Sequence, residues 1–144
     1  MDTSLNELYQ EIIMDHNRYP RNKCRLPSPA KAANGYSPSC GDDVTVFVEM
    51  KNGTIKRITF DGEGCAISQA SASLMTCLLT GLDKSKAEKI IVDICSFLGD
   101  SSTDEEDSVL ERYGEVGALV GVKKFPMRIK CATLPWHAAH DAIS

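Results

Sequence analysis

The chain has 144 residues, which is the size of one domain and too short for two full ones. It carries 16 Lys and Arg against 20 Asp and Glu, a net charge of −4, so no strong positive field would hold nucleic acid or an anionic membrane. No apolar run approaches the roughly 20 residues that cross a bilayer, and the polar N-terminus is unlike a signal peptide. We therefore expect one cytoplasmic domain, over residues 1–144, that binds neither nucleic acid nor membrane.

The first half of the chain predicts a helix followed by a β-hairpin. Apolar residues at helical spacing begin at Leu5, and the helix should stop near Pro20 because proline disfavours helix in the residue before it. The proline- and glycine-rich stretch from there to residue 40 is expected to be an irregular loop. Residues 44–50 and 54–60 then predict two strands joined by a tight turn at Asn52-Gly53, and the glycines after residue 60 should end the second strand.

The second half of the chain predicts helices. Apolar spacing indicates one helix over about 68–80 and another over about 87–98. Consecutive acidic residues at 104–107 indicate an exposed acidic insertion at about 99–118. A last helix is expected from about Leu134, with Pro135 in its first turn. The order of elements predicts an α+β fold in which a small antiparallel sheet of about three strands packs against several α-helices.

Cysteine is the residue type that points to chemistry. A chain in a reducing compartment should keep its thiols free, so metal or sulfur chemistry is favoured over disulfide bonds. The cysteines are Cys24, Cys40, Cys65, Cys77, Cys95 and Cys131.

Three of these thiols stand where the chain passes between predicted elements. Cys40 is two residues from Asp42 across a glycine, and Cys65 follows a glycine-rich turn at the start of a helix, where the helix dipole favours a thiolate. Cys131 follows Lys130, a cation that would also favour thiolate. One oxygen and three sulfurs would suit tetrahedral zinc and could also hold iron. The residues alone leave open whether they share a metal or are unrelated thiols.

Short motifs run from the first predicted helix to the last. They are Leu8-Tyr9, Ile12-Ile13-Met14-Asp15-His16, Pro20-Arg21-Asn22, Ser39-Cys40-Gly41-Asp42, Gly62-Glu63-Gly64-Cys65-Ala66-Ile67-Ser68, Lys124-Phe125-Pro126 and Arg128-Ile129-Lys130-Cys131-Ala132-Thr133-Leu134. Together they resemble the IscU/SufU (NifU N-terminal-like) family of iron-sulfur cluster assembly proteins. The pair Lys130-Cys131 and the long interval after Cys65 resemble the SufU branch more than the IscU branch, which has histidine where this chain has Lys130.

The resemblance implies a SufE/NifU-like fold and a zinc-dependent sulfur-transfer function in iron-sulfur cluster assembly. It implies that Cys40 accepts persulfide sulfur from a SufS-type, pyridoxal-phosphate-dependent cysteine desulfurase. It further implies that Cys40, Asp42, Cys65 and Cys131 hold Zn²⁺. The chain would be an enzyme at most as a sulfurtransferase, would pass sulfur to a SufBCD-type scaffold, and would be a monomer or weak dimer.

Two other functions stay open on the sequence. The chain could be a scaffold that assembles a [2Fe-2S] cluster from iron and sulfide on the same four residues and transfers it to apo-proteins. It could also be a structural zinc domain that only docks partners. Lys130 and Arg128 are hypothesised to favour thiolate at Cys131 and Cys40, and solvated surface cations are the alternative.

The remaining thiols and histidines are expected to have structural roles or to lie on the surface. Cys77 and Cys95 lie among apolar residues and are interpreted as packing thiols. His16 lies on the apolar stripe of the first helix and is expected to be a buried, hydrogen-bonded residue. His137 and His140 could bind a second metal, but a surface or capping role is favoured because no fourth ligand is evident.

Overall fold

The computed structural model describes residues 3–99 and 112–144. No helix within these ranges is long and apolar enough to cross a membrane. In chain order the elements are α1 (Thr3–Arg18), β1 (Lys31–Ser37), β2 (Asp42–Lys51), β3 (Thr54–Glu63), α2 (Ala66–Leu79), α3 (Lys84–Gly99), a 3-10 helix (Gly114–Lys124) and α4 (Pro126–Ile143).

The strands form one antiparallel sheet in the order β1-β2-β3. The predicted hairpin is confirmed, because β2 and β3 pair across a turn in which Asn52 and Gly53 have φ values of 54° and 78°. Alternation along β2 places Val44, Val46 and Val48 together in the core, each almost completely buried. This is the face of the sheet on which helices pack.

The helices cover the sheet and bury a single core. Helix α4 packs against β1 and β2, α2 packs against β3 and α4, and α1 and α3 pack against these central helices. Trp136 of α4 is fully buried, and its indole Nε1 donates a 2.9 Å hydrogen bond to Ser71 Oγ of α2. This hydrogen bond holds α2, which follows Cys65, against α4, which contains Cys131. The predicted α+β fold, with three antiparallel strands against several helices, is confirmed.

Two predictions about strands were wrong. The segment expected to be irregular contains β1, whose Ala, Asn and Gly residues have low strand propensity. Its pairing with β2 and the approach of α4 create the strand, since a Cβ on Gly35 would lie only 3.1 Å from the Leu134 side chain. The second predicted strand continues past residue 60 to Glu63, because Gly62 pairs with β2 at a point where a side chain would overlap the Asp43 carbonyl.

The predicted first residue of the last helix was also wrong. Helix α4 begins at Pro126, where the missing N–H costs nothing, and Pro135 lies in its interior instead of its first turn. An interior proline removes one backbone hydrogen bond and costs about 3 kcal/mol in an exposed helix. Pro135 is buried beside Trp136, so packing offsets that cost. Cys131 consequently lies in the second turn of α4 and not at its entrance.

The 3-10 helix contributes buried residues to the core. The predicted acidic insertion, about 99–118, falls mostly outside the described residues, but Val116 and Ala118 are buried, so an exposed segment does not reach residue 118.

The prediction for His16 is confirmed: the side chain is buried, with Nδ1 2.7 Å from Ser73 Oγ and Nε2 2.9 Å from Glu115 Oε2. These contacts tie α1 to both α2 and the 3-10 helix.

Candidate metal centre

Three of the four predicted ligands meet at one end of the sheet. Cys40 lies in the turn after β1, Asp42 is the first residue of β2, and Cys131 projects from α4. Their sulfur and carboxylate atoms all lie within 4.8 Å of one another. The Sγ atoms of Cys40 and Cys131 are 3.0 Å apart, and both residues are free thiols. Residues 91 positions apart in sequence therefore share one small site.

Asp42 is the buried acid of this site. Its side chain has no solvent exposure, and Oδ1 accepts a 2.8 Å hydrogen bond from the backbone N–H of Cys65 and lies 3.2 Å from Ser68 Oγ. The Cys65 thiol lies 3.9 Å from Oδ2, and the Cys131 thiol is also hydrogen-bonded to this carboxylate. A thiol is a weak donor, so this oxygen is poorly compensated for its removal from water. A cation beside Oδ2 would supply that compensation.

Cys65 lies beside the group of three. It is the N-cap of α2, as the glycine-rich turn before it predicted, and its Sγ accepts a 3.4 Å hydrogen bond from the Ser68 N–H. Its Sγ is 3.9 Å from Asp42 Oδ2, but it does not belong to the cluster in which every pair of atoms lies within 4.8 Å. The role of Cys65 as a fourth metal ligand stays a prediction.

The two closest thiols have opposite pKa shifts. The hydrogen bond from Cys131, with a smaller one from Ser39, lowers the pKa of Cys40. Burial, followed by the hydrogen bond to Cys40, raises the pKa of Cys131. We expected Lys130 to favour thiolate at Cys131, which would lower its pKa, but the pKa is raised. The reason is that α4 carries Cys131 into the core, whereas Lys130 and Arg128 are exposed. An effect of these cations on Cys40 stays a prediction.

We expect the thiols of metal-free protein to react with iodoacetamide in a fixed order at neutral pH, with Cys40 fastest and the buried or partly buried Cys131 and Cys95 slowest. Burial raises the pKa of Cys95 to about 11, so its thiolate fraction at pH 7 is about 10⁻⁴. Cys24 is exposed and serves as the internal reference. A time course read by peptide mass spectrometry measures the order. Faster labelling of Cys24 than of Cys40 would contradict it.

The other candidate residues lie away from the centre. Cys95 is partly buried against the core, as predicted, but Cys77 is exposed, so its interpretation as a packing thiol was wrong. His137 is exposed and His140 is partly exposed. Neither belongs to a cluster of three metal-binding side chains within residues 3–99 and 112–144.

Sequence reasoning missed Gly64 and Ser68, the residues that contact Asp42 from the start of α2. A Cβ on Gly64 would lie 2.6 Å from Asp42 Oδ1 and would overlap Ser68 Oγ. The signal was present, since Ser68 stands three residues after Cys65, where a helix N-cap meets its partner. It could not be used without knowing that Asp42 lies against this turn.

Comparison with known proteins identifies the family. The NifU-like N terminal domain family matches residues 8–132. This chain belongs to that family. It is 37% identical to the zinc-dependent sulfurtransferase SufU of Bacillus subtilis (strain 168) over 146 residues, covering 99% of this chain and 94% of the relative. It is 38% identical to the iron-sulfur cluster assembly scaffold protein IscU of Streptococcus pyogenes serotype M1 over 142 residues, covering 98% and 86%.

A solved structure gives the same result for the fold. The crystal structure of FiSufU from the thermophile Fervidobacterium islandicum AW-1 superposes with a TM-score of 0.83 at 32% identity, covering 96% of this chain and 98% of that one. The resemblance to the IscU/SufU family predicted from the short motifs is therefore confirmed, and so is the NifU-like fold of this family member.

Proposed function

We propose that this member of the NifU-like family is a zinc-dependent sulfur-transfer protein of iron-sulfur cluster assembly, and that Cys40 accepts persulfide sulfur from a cysteine desulfurase. One observation carries the proposal: the partly exposed Cys40 thiol, whose pKa is lowered, lies 3.0 Å from the buried thiol of Cys131 and within one cluster with Asp42. The similarity to the zinc-dependent sulfurtransferase SufU over almost the whole chain supports it.

The donor set fits zinc. Thiolate and carboxylate ligands stand at about 2.0–2.3 Å from zinc and so roughly 3.5 Å from one another, which agrees with donor atoms that all lie within 4.8 Å. The poorly compensated Oδ2 of buried Asp42 also favours a cation there. Cys40, Asp42 and Cys131 would hold the metal, with Cys65 as the adjacent fourth ligand. When bound, zinc would keep its thiol ligands deprotonated without redox chemistry of its own.

The transfer itself is a thiolate displacement. The Cys40 thiolate attacks the outer sulfur of the desulfurase persulfide, the new bond joins Cys40 Sγ to that sulfur, and the S–S bond of the partner breaks. The desulfurase cysteine leaves as a thiolate and takes up a proton, so the step moves one sulfur without net oxidation or reduction. The same displacement, with a SufBCD-type scaffold as the next acceptor, would unload Cys40. The chain is then a sulfurtransferase that acts only with its partners.

The surroundings of the three thiols favour Cys40 as the accepting residue. Cys40 is flanked in its turn by exposed Ser39 and Gly41, so the thiol can be reached by another protein. Cys131 has no solvent exposure. The Cys65 thiol is occupied as the N-cap of α2.

Turnover of a SufS-type desulfurase tests the proposal. Alanine formation from cysteine should rise several-fold when zinc-loaded protein is added, because Cys40 removes the sulfur that otherwise blocks the next cycle. Protein alkylated at Cys40 is the matched control and should give no increase. Equal turnover with and without the zinc-loaded protein would contradict sulfur acceptance.

The scaffold function is the second candidate, and the similarity to the scaffold protein IscU favours it. In that case iron and sulfide are the cargo, and a [2Fe-2S] cluster would form on the same thiols. Incubation with ferrous iron, cysteine, the desulfurase and a thiol reductant, which reduces persulfide sulfur to sulfide, separates the two functions. A visible cluster spectrum and transfer to an apo-ferredoxin support the scaffold, whereas retained zinc and no cluster support sulfur transfer.

Metal removal tests the third possibility, a purely structural zinc domain. We expect the chelated protein to stay folded, because the core around Phe60 and Trp136 lies in the sheet and helices and does not depend on the centre. Zinc at about 100–1000 times its Kd should stabilise the protein by about 3–4 kcal/mol, seen as a higher Tm in the holo form. Far-UV circular dichroism of the chelated and zinc-loaded proteins measures their helical content, and heating each sample gives its Tm. Loss of the helical signal on chelation would favour the structural role.

A further inference from the structure

The two oxygens of Asp42 have different surroundings. Oδ1 faces the first turn of α2, where it accepts the Cys65 backbone N–H at 2.8 Å and meets the Ser68 hydroxyl at 3.2 Å. Oδ2 faces the Cys65 thiol at 3.9 Å. Because Asp42 is fully buried, water does not equalise the two oxygens. The orientation of the carboxylate is therefore set by the contacts of Oδ1.

The Ser68 hydroxyl has two acceptors within reach. Its Oγ lies 3.0 Å from the Cys65 carbonyl oxygen and 3.2 Å from Asp42 Oδ1. The Cys65 carbonyl already accepts a 3.1 Å hydrogen bond from the Gln69 N–H. A charged carboxylate attracts a hydroxyl proton more strongly than a neutral carbonyl does, so the proton of Ser68 is directed to Asp42 when the acid is ionised.

Gly64 makes this arrangement possible. A Cβ at position 64 would lie 2.6 Å from Asp42 Oδ1 and would overlap Ser68 Oγ, so any side chain there would displace one or both groups. The absence of a side chain allows the carboxylate to lie directly against the first turn of α2. The turn before Cys65 thus serves the orientation of Asp42 as well as the cap of the helix.

We propose that Ser68 is a positioning residue that, together with the Cys65 backbone N–H, holds Oδ1 of Asp42 and leaves Oδ2 as the oxygen that faces a bound metal. This inference rests on the proposed zinc-dependent function and names a residue outside the predicted ligand set. Partners of this kind fix the orientation of a ligand, and their loss typically lowers metal affinity by about 10–100-fold.

The experiment measures the zinc Kd of the whole chain by competition with a chromophoric chelator. Ser68→Ala should raise the Kd by about 10–100-fold. Ser73→Ala is the matched control, because Ser73 is an equally buried serine of the same helix that contacts His16 and Arg21 instead of Asp42. Its zinc Kd should equal that of the wild type even if its Tm falls. An unchanged Kd in Ser68→Ala would overturn the inference.

A second pair keeps the test valid if Ser68→Ala folds poorly. Ser68→Thr retains the hydroxyl and Ser68→Val replaces it with a methyl group of similar volume, so the two variants share any packing defect. Thr should bind zinc more tightly than Val, and the d–d absorption of the Co²⁺-substituted Val variant should differ from the wild type while that of Thr matches it. Equal affinities and equal spectra would overturn the role of Ser68. Failure of the wild type itself to bind zinc would instead overturn the proposed function, and the inference with it.

Discussion

Replacing Cys40 with serine should abolish the transfer of sulfur to this protein. The hydroxyl of serine is not ionised at neutral pH and cannot displace sulfur from a persulfide. The fold should survive, since Cys40 lies in a partly exposed turn and is not part of the buried core. Intact-mass spectrometry after incubation with the desulfurase and cysteine should show wild-type protein that gains sulfur and Cys40→Ser protein that gains none.

The control for this variant is Cys24→Ser. Cys24 is an exposed thiol that belongs to no cluster of metal-binding side chains in the described part of the chain. Its loss should leave sulfur acceptance at the wild-type level. If Cys40→Ser accepted as much sulfur as Cys24→Ser, another thiol would be the acceptor and our assignment would be wrong.

Replacing Asp42 should lower zinc affinity more than replacing Ser68 does. Loss of a partner outside the ligand set typically costs about 10–100-fold, so loss of the only oxygen ligand in the proposed set should raise the Kd by more than about 100-fold. Asp42→Asn separates charge from shape, because the amide keeps an oxygen to accept the Cys65 N–H while removing the negative charge. Asp42→Ala removes both and should also lower the Tm. Chelator competition and thermal unfolding measure the two effects.

Asp43→Asn is the matched control for Asp42→Asn. Asp43 is the next residue of β2, but it is exposed and pairs with Asn34 at 2.6 Å. The same change of charge there should leave the zinc Kd within about twofold of the wild type, since exposed charges are screened by water and salt. Equal losses of affinity in both variants would mean that the effect of Asp42 is a general electrostatic one.

The fold was predictable from sequence where local signals decide it. The β2–β3 hairpin followed from alternating valines and Asn52-Gly53, because both signals lie within the hairpin itself. Strand β1 was not predictable, since its weak strand formers are held by β2 and by the approach of α4 to Gly35. The start of α4 was misplaced because burial, which one sequence does not show, keeps Pro135 inside a helix.

The site was predictable in its residue types and only partly in its geometry. The family resemblance implied a shared site of Cys40, Asp42, Cys65 and Cys131, and the structure brings three of them together, without Cys65. The sequence could not show that Cys131 is buried, so the direction of its pKa shift was predicted wrongly. Nor could it show that Ser68 contacts Asp42, because that contact depends on how β2 lies against α2.

Sulfur location in the wild-type protein tests the central claim most directly. Zinc-loaded protein would be incubated with the desulfurase and cysteine, its persulfides trapped by alkylation, and the peptides sequenced by mass spectrometry. Our account predicts the additional sulfur on the peptide that contains Cys40, in one copy per chain. Sulfur on the peptide of Cys65 or Cys131 with none on Cys40 would contradict it.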